Sequence, residues 1–82
     1  MTTIEINRVS GNETEFVVGC EFDSKEDAER VFEQIGKEYQ TKPKIGDGDF
    51  LVDLYRGHDL IDTVVTDGVG AVQIDERFFR EE

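Results

Sequence analysis

The stretch Asp49–Asp75, DFLVDLYRGHDLIDTVVTDGVGAVQID, decides the reading of this chain. Phe50, Val52 and Leu54 alternate with Asp49, Leu51, Asp53 and Tyr55, the period of two that marks a half-buried strand. Gly57-His58 reads as a turn. Pairing Tyr55 with Leu60 then sets Leu54 opposite Ile61, Asp53 opposite Asp62, Val52 opposite Thr63 and Phe50 opposite Val65. Asp67-Gly68 reads as a second tight turn of type I′. It sets Val65 opposite Gly70, Thr63 opposite Val72 and Ile61 opposite Ile74. One register serves both hairpins, so a three-stranded antiparallel meander is expected.

Working outward, residues 3–9 read as a strand with Ile4 and Ile6 on one face. Residues 14–22 alternate Phe16, Val18, Cys20 and Phe22 against Glu15, Val17, Gly19 and Glu21. A three-residue loop, Ser10-Gly11-Asn12, matches the apolar faces by opposing Ile6 to Phe16 and Ile4 to Val18. A two-residue turn would oppose Asn7 to Phe16 and bury polar groups, so the longer loop is expected, with Asn12 left-handed. Ser24 reads as a helix N-cap with Asp27 in the capping-box position. Ala28, Val31, Phe32, Ile35 and Tyr39 then form one apolar stripe at helical spacing. The outer face carries Glu26, Glu29 and Glu33, with Glu26–Arg30 and Glu33–Lys37 as expected i,i+4 pairs. Residues 40–48, containing Pro43, Gly46 and Gly48, form the one long connection. The tail Asp75–Glu82, with Phe78 and Phe79, reads either as a short helix or as a cover for the sheet.

The order ββαβββ predicts an α+β two-layer sandwich: an antiparallel sheet of about five strands with one helix packed on one face. At 82 residues the chain is read as a single compact acidic domain over 1–82. A domain of this size buries only about 60–65% of its unfolded surface, which disfavours a deep active-site cleft. Cys20 is the single cysteine, which excludes an internal disulfide and fits a reducing cytoplasm. No stretch approaches the roughly 18 apolar residues of a membrane span. Glu5, Arg8 and Glu13 interrupt the first fifteen residues, so no signal peptide is expected.

Charge carries the functional reading. Twenty Asp and Glu stand against nine Lys and Arg, a formal net charge of −11. Such a field repels nucleic acid and anionic membranes and speeds encounter with basic surfaces. The acidic residues fall on the outer helix face (Glu26, Glu29, Glu33) and on the second sheet face. There Asp53 and Asp62 are expected in direct opposition, among Leu51, Tyr55, Leu60 and Val64, with Asp49 nearby. A partly apolar acidic face suits an Arg or Lys with its aliphatic stem laid down. The candidate partner-binding residues are therefore Glu26, Glu29, Glu33, Asp49, Asp53, Tyr55, Leu60 and Asp62.

Enzymatic readings fare worse. The two aspartates on a flat sheet have no cleft to raise one pKa for acid catalysis. Asp47-Gly48-Asp49 begins like a calcium loop, but Leu51 and Val52 stand where further ligands are needed. His58 sits at a turn with no second His or Cys near it in sequence, which disfavours a metal or a catalytic triad. Cys20 reads as a small buried hydrophobe. No enzyme activity, metal or cofactor is expected.

The first functional expectation is a non-enzymatic binding protein that docks on a basic, nucleic-acid-binding surface of a partner protein. Such grooves are built to meet one negative charge per about 1.7 Å of duplex. In size, acidity and lack of catalytic residues the chain is similar to the small counter-defence proteins of phages and mobile elements, including anti-CRISPR and anti-restriction proteins. It is a likeness of general character over the whole chain. It implies an inhibitor acting as a nucleic-acid mimic in the host cytoplasm, with no direct nucleic-acid or membrane contact. The alternative is a self-associating accessory protein, a homodimer through the apolar second face, whose acidity serves solubility. A halophilic origin belongs with that alternative; such chains are poor in Lys, and the four Lys and five Arg here leave that reading open.

Overall fold

The four strands of the meander and first hairpin align into one antiparallel sheet in the order β2-β1-β3-β4. The structure is a computed structural model and describes residues 1–41 and 44–80; Pro43 of the connection and Glu82 of the tail lie outside the described residues. β1 spans Thr2–Ser10, β2 Glu13–Phe22, β3 Phe50–Arg56 and β4 Asp59–Thr66. Helix α1, Lys25–Tyr39, follows β2, and helix α2, Gly68–Ile74, follows β4 and runs on into a π-helical turn, Asp75–Phe79. The class is the expected α+β, with four strands and two helices where five strands and one helix were expected.

The fifth strand is the main correction. Asp67 does not open a hairpin: its carboxylate accepts from the Gly70 N–H at 2.7 Å and caps α2. Gly70, Val72 and Ile74 alternate as in a strand, but Ala71, Ile74 and Phe78 also recur at helical spacing. The helical set packs against the core. An apolar run this short fits both periods, and burial decides between them.

Both hairpins also depart from the expected register, and for one reason. Each turn has two residues, Gly11-Asn12 closing Ser10 on Glu13 and Gly57-His58 closing Arg56 on Asp59. Gly11 (φ 62°) and Gly57 (φ 61°) take the positive φ, so Asn12 is not left-handed. Each hairpin then carries one β-bulge. In the first, Asn7 faces Phe16, the pairing the sequence reading rejected. Val17 is the extra residue, and beyond it Ile6 meets Val18 and Ile4 meets Cys20. In the second, Tyr55 faces Leu60 as expected. Ile61 is the extra residue, so Leu54 meets Asp62, Asp53 meets Thr63 and Val52 meets Val64. An extra residue switches every later side chain to the other face, so Asp62 leaves the face that holds Asp53.

The helices cover one face. Ile4, Ile6, Val52, Leu54 and Val64 from the sheet meet Ala28, Phe32 and Ile35 of α1 and Ala71 and Ile74 of α2. Ser24 caps α1 as expected, accepting from the Asp27 N–H at 3.3 Å. Arg30 pairs with Asp27 rather than Glu26, while Lys37 meets Glu33 at 3.1 Å as expected. Gly36 brings α1 close to β4, where an added Cβ would lie 3.5 Å from Val64.

The other face holds a second small cluster, Val9, Leu51 and Val65. The connection after α1 is tied to the strands around it. Thr41 donates to the Val65 carbonyl at 2.9 Å, and Gly48 donates to the Val9 carbonyl at 3.0 Å.

Candidate docking grooves

The expected Asp53–Asp62 pair is absent. Asp53 is buried at 5% exposure on the uncovered face. Asn7 donates to its Oδ2 at 2.9 Å, and the Thr63 hydroxyl donates to Oδ1. Both carboxylate oxygens are thus committed within the sheet, which makes Asp53 a structural residue rather than a free contact. The satisfied Asn7–Asp53 bond also explains why the rejected turn is tolerated: the polar side chain of Asn7 has a buried partner. Across the ladder Asp53 faces Glu5. Tyr55 shares this face, and its hydroxyl pKa is raised, first by burial and then by Asp53 and Glu5. It therefore stays protonated and remains a donor.

Asp49 is half-buried, and its Oδ2 accepts from the Gly46 N–H at 2.7 Å, which fixes the connection. Asp47 accepts from the Gly11 N–H at 2.8 Å and ties the same connection to the first turn. The two aspartates that resembled the start of a calcium loop thus hold a turn together. Among the described residues, no group of three or more His, Cys, Asp or Glu could hold a metal ion.

Three of the proposed contact residues do come together, by a route the sequence reading did not foresee. The bulge at Ile61 turns Asp62 toward the helical side, where Glu29 and Glu33 of α1 project. Together they line a groove of about 540 Å³ between α1 and the edge strand β4. Phe32, Leu54 and Val64 supply apolar walls, and Ile61 stands at its edge, 48% exposed. Each acid has a local partner. Glu29 lies 3.9 Å from Lys25 and 3.6 Å from Arg56, Glu33 lies 3.1 Å from Lys37, and Asp62 accepts from the Thr63 N–H at 2.8 Å. The helix pairs are exposed and each contributes under about 1 kcal/mol, so an incoming cation displaces them at little cost.

Glu26 stands apart at the N-terminus of α1. Its own backbone N–H, and then the Ser24 hydroxyl at 3.1 Å, hold its carboxyl below the usual carboxylate range. Leu60 is exposed beside Tyr55 on the uncovered face, away from the acids of the groove. Cys20 is half-buried on the helical side opposite Ile4, and His58 is exposed in its turn.

A second groove was not foreseen. It lies on the opposite side of the sheet's helical face, about 470 Å³, between α2 and the edge strand β2. Its lining includes Val17, Val18, Phe50, Ala71 and Val72. The one acid at its border, Asp75, is engaged by Arg80 at 3.1 Å. The signal for it lay in Val17, the one apolar residue on the polar side of the β2 alternation. No helix among the described residues is long and apolar enough to cross a membrane. No protein-family model, curated protein or solved structure matches this chain.

Proposed function

We propose that the chain is a non-enzymatic binding protein whose acidic groove between α1 and β4 docks on a basic, nucleic-acid-binding surface of a partner protein. The observation that carries this reading is the convergence of Glu29, Glu33 and Asp62 from two elements around apolar walls. A Lys or Arg of the partner lays its stem on Ile61 and Leu54 and brings its charge to the carboxylates. The net charge of −11 acts at longer range, steering encounter and competing with nucleic acid for the same surface. An inhibitor that mimics nucleic-acid charge, in the style of the phage counter-defence proteins, works in this way. The self-association reading is weaker, because Glu5 and Glu21 lie on the uncovered face that a copy would have to cover.

The test is capture of the partner followed by competition. Binding should weaken steeply as salt rises, and duplex DNA should displace the protein. Charge reversal at Glu33 and Asp62 together should reduce affinity by about tenfold or more, since two close contacts are turned repulsive. Affinity that ignores both salt and these reversals would remove the reading.

A further inference from the structure

We propose that the outer edge of β2 is a strand-docking site for a basic extended segment that carries an apolar residue among Lys or Arg. It is a second interaction surface, on the opposite edge of the sheet from the groove between α1 and β4.

β2 is the outermost strand, ten residues long, and its first five positions, Glu13 to Val17, are exposed on both faces. The two edges differ in how they are closed. At β4, Thr41 donates to the Val65 carbonyl and the Asp62 side chain takes the Thr63 N–H. Along β2, no strand among the described residues pairs with the outer side. An edge of this length offers main-chain hydrogen bonds to an incoming strand.

The apolar groove beside this edge supplies a side-chain pocket. Val17, lifted out of the alternation by the bulge, forms one wall at 50% exposure, and Val72 of α2 forms the other at 56%. At about 470 Å³ the groove lies within the range of side-chain and small-ligand pockets. A strand added to β2 can place an apolar residue between these walls while its backbone pairs with the edge.

Charge chooses the occupant. β2 carries Glu13, Glu15 and Glu21 and no Lys or Arg. A second copy paired along this edge would bring carboxylates against carboxylates, which is unfavourable in a ladder. Glu13 and Glu15 lie on the groove face beyond Val17 and Glu21 on the other face, so a segment with Lys or Arg on both faces around its apolar residue meets them favourably. The occupant is therefore a basic extended segment of another protein.

The probe is a short synthetic peptide with a central Val flanked by Lys, titrated into the full chain at low salt. The expected result is binding that shifts the amide signals of β2 and the groove residues and slows exchange of amides along β2. Methylating the backbone nitrogens of alternate residues keeps the charge and removes strand donors; one of the two alternate patterns should weaken binding by about tenfold or more. Val17→Lys, which blunts the edge and repels the peptide, should do the same. Both walls are half-exposed, so Val72→Lys serves as a second variant, and denaturant midpoints near wild type show that each folds. Glu33→Lys, in the other groove, should leave peptide affinity within about twofold.

Several results overturn the proposal. One is no binding at low salt. Another is equal binding by both methylated peptides. Loss of affinity with Glu33→Lys instead of Val17→Lys moves the peptide to the other groove, which keeps the proposed function and discards the strand site. A peptide-free dimer abolished by Val17→Lys makes a second copy the occupant instead.

Discussion

The two edges of the sheet are built with one backbone device and finished with different chemistry. At each edge the outer strand carries one extra residue, Val17 in β2 and Ile61 in β4, both β-branched and both about half-exposed. Each bulged residue stands beside a groove under a helix. Beneath α2 the groove is lined by Val72, Ala71 and Phe50. Beneath α1 it is lined by Glu29, Glu33 and Asp62. The bulge re-aims the strand, and the helix that covers it decides whether the resulting groove is apolar or acidic. The difference teaches that binding character here is set by pairs of elements, not by any one strand.

Removing the anchor of the apolar groove should have the largest effect. Ile74 is fully buried and holds α2 against the sheet. Ile74→Ala should cost about 2–5 kcal/mol in denaturant unfolding, and it should loosen the groove beside β2 more than the one beside β4. Amide exchange that rises equally in α1 and α2 would break the separation of the two sides.

Next in size is Gly70→Ala. A Cβ there would collide with the Thr66 hydroxyl oxygen, in a fully buried site. The clash should cost about 1–3 kcal/mol. Among the described residues the Thr66 hydroxyl has no hydrogen-bond partner. Thr66→Ala therefore removes the clash without losing a bond, and the double variant should recover much of the loss. Strictly additive effects would show that the oxygen is not the obstacle.

The acidic groove offers the opposite sign. Gly36 lies in the last turn of α1, and an added Cβ meets Val64 at 3.5 Å, an ordinary contact. Gly36→Ala should stabilise the protein by up to about 1 kcal/mol, because alanine restricts the unfolded chain and favours helix. A destabilised variant would mean that α1 and β4 sit closer than 3.5 Å allows.

The smallest effect is expected where the two covering helices meet. Arg77, in the π-helical turn after α2, donates to Glu38 of α1 at 2.8 Å and lies over the Phe78 ring at 4.8 Å. The Arg77 bond, and next that of Gln34, holds the Glu38 carboxyl below its ordinary 4.5. A depressed carboxyl adds stability above the unfolded pKa and loses it as pH falls through the folded value. Wild type should therefore lose slightly more stability than Glu38→Gln on acidification below about pH 4.5. Parallel acid limbs in the two proteins would show the contact to be energetically silent, as exposed pairs often are.

The legible part of the fold was its periodic part. Ser24 and the stripe Ala28–Phe32–Ile35 gave α1, and alternation gave β1 to β4, because these patterns repeat long enough to separate a period of 3.6 from one of 2. The segment Gly68–Ile74 is too short for that, and its Asp-Gly start suits a hairpin as well as an N-cap. Of the proposed contacts, Glu29, Glu33 and Asp62 came together, whereas Asp49 and Asp53 serve the scaffold through Gly46, Asn7 and Thr63. Nothing in the local sequence distinguishes a carboxylate that holds a turn from one that faces solvent.

The sequence by itself determined the acidity, the α+β class, the first helix with its Ser24 N-cap, and the Gly57-His58 turn. These follow from composition and from interactions within a few residues. Only the tertiary structure decided the two bulges, the conversion of the last apolar run into α2 and the company each acid keeps. A bulge answers to the match of two buried faces across strands. The choice between strand and helix for Gly68–Ile74 answers to which set of side chains the core can bury. Both are settled by partners far away in sequence, which is why the two grooves, and with them the candidate docking surfaces, became visible only in the folded chain.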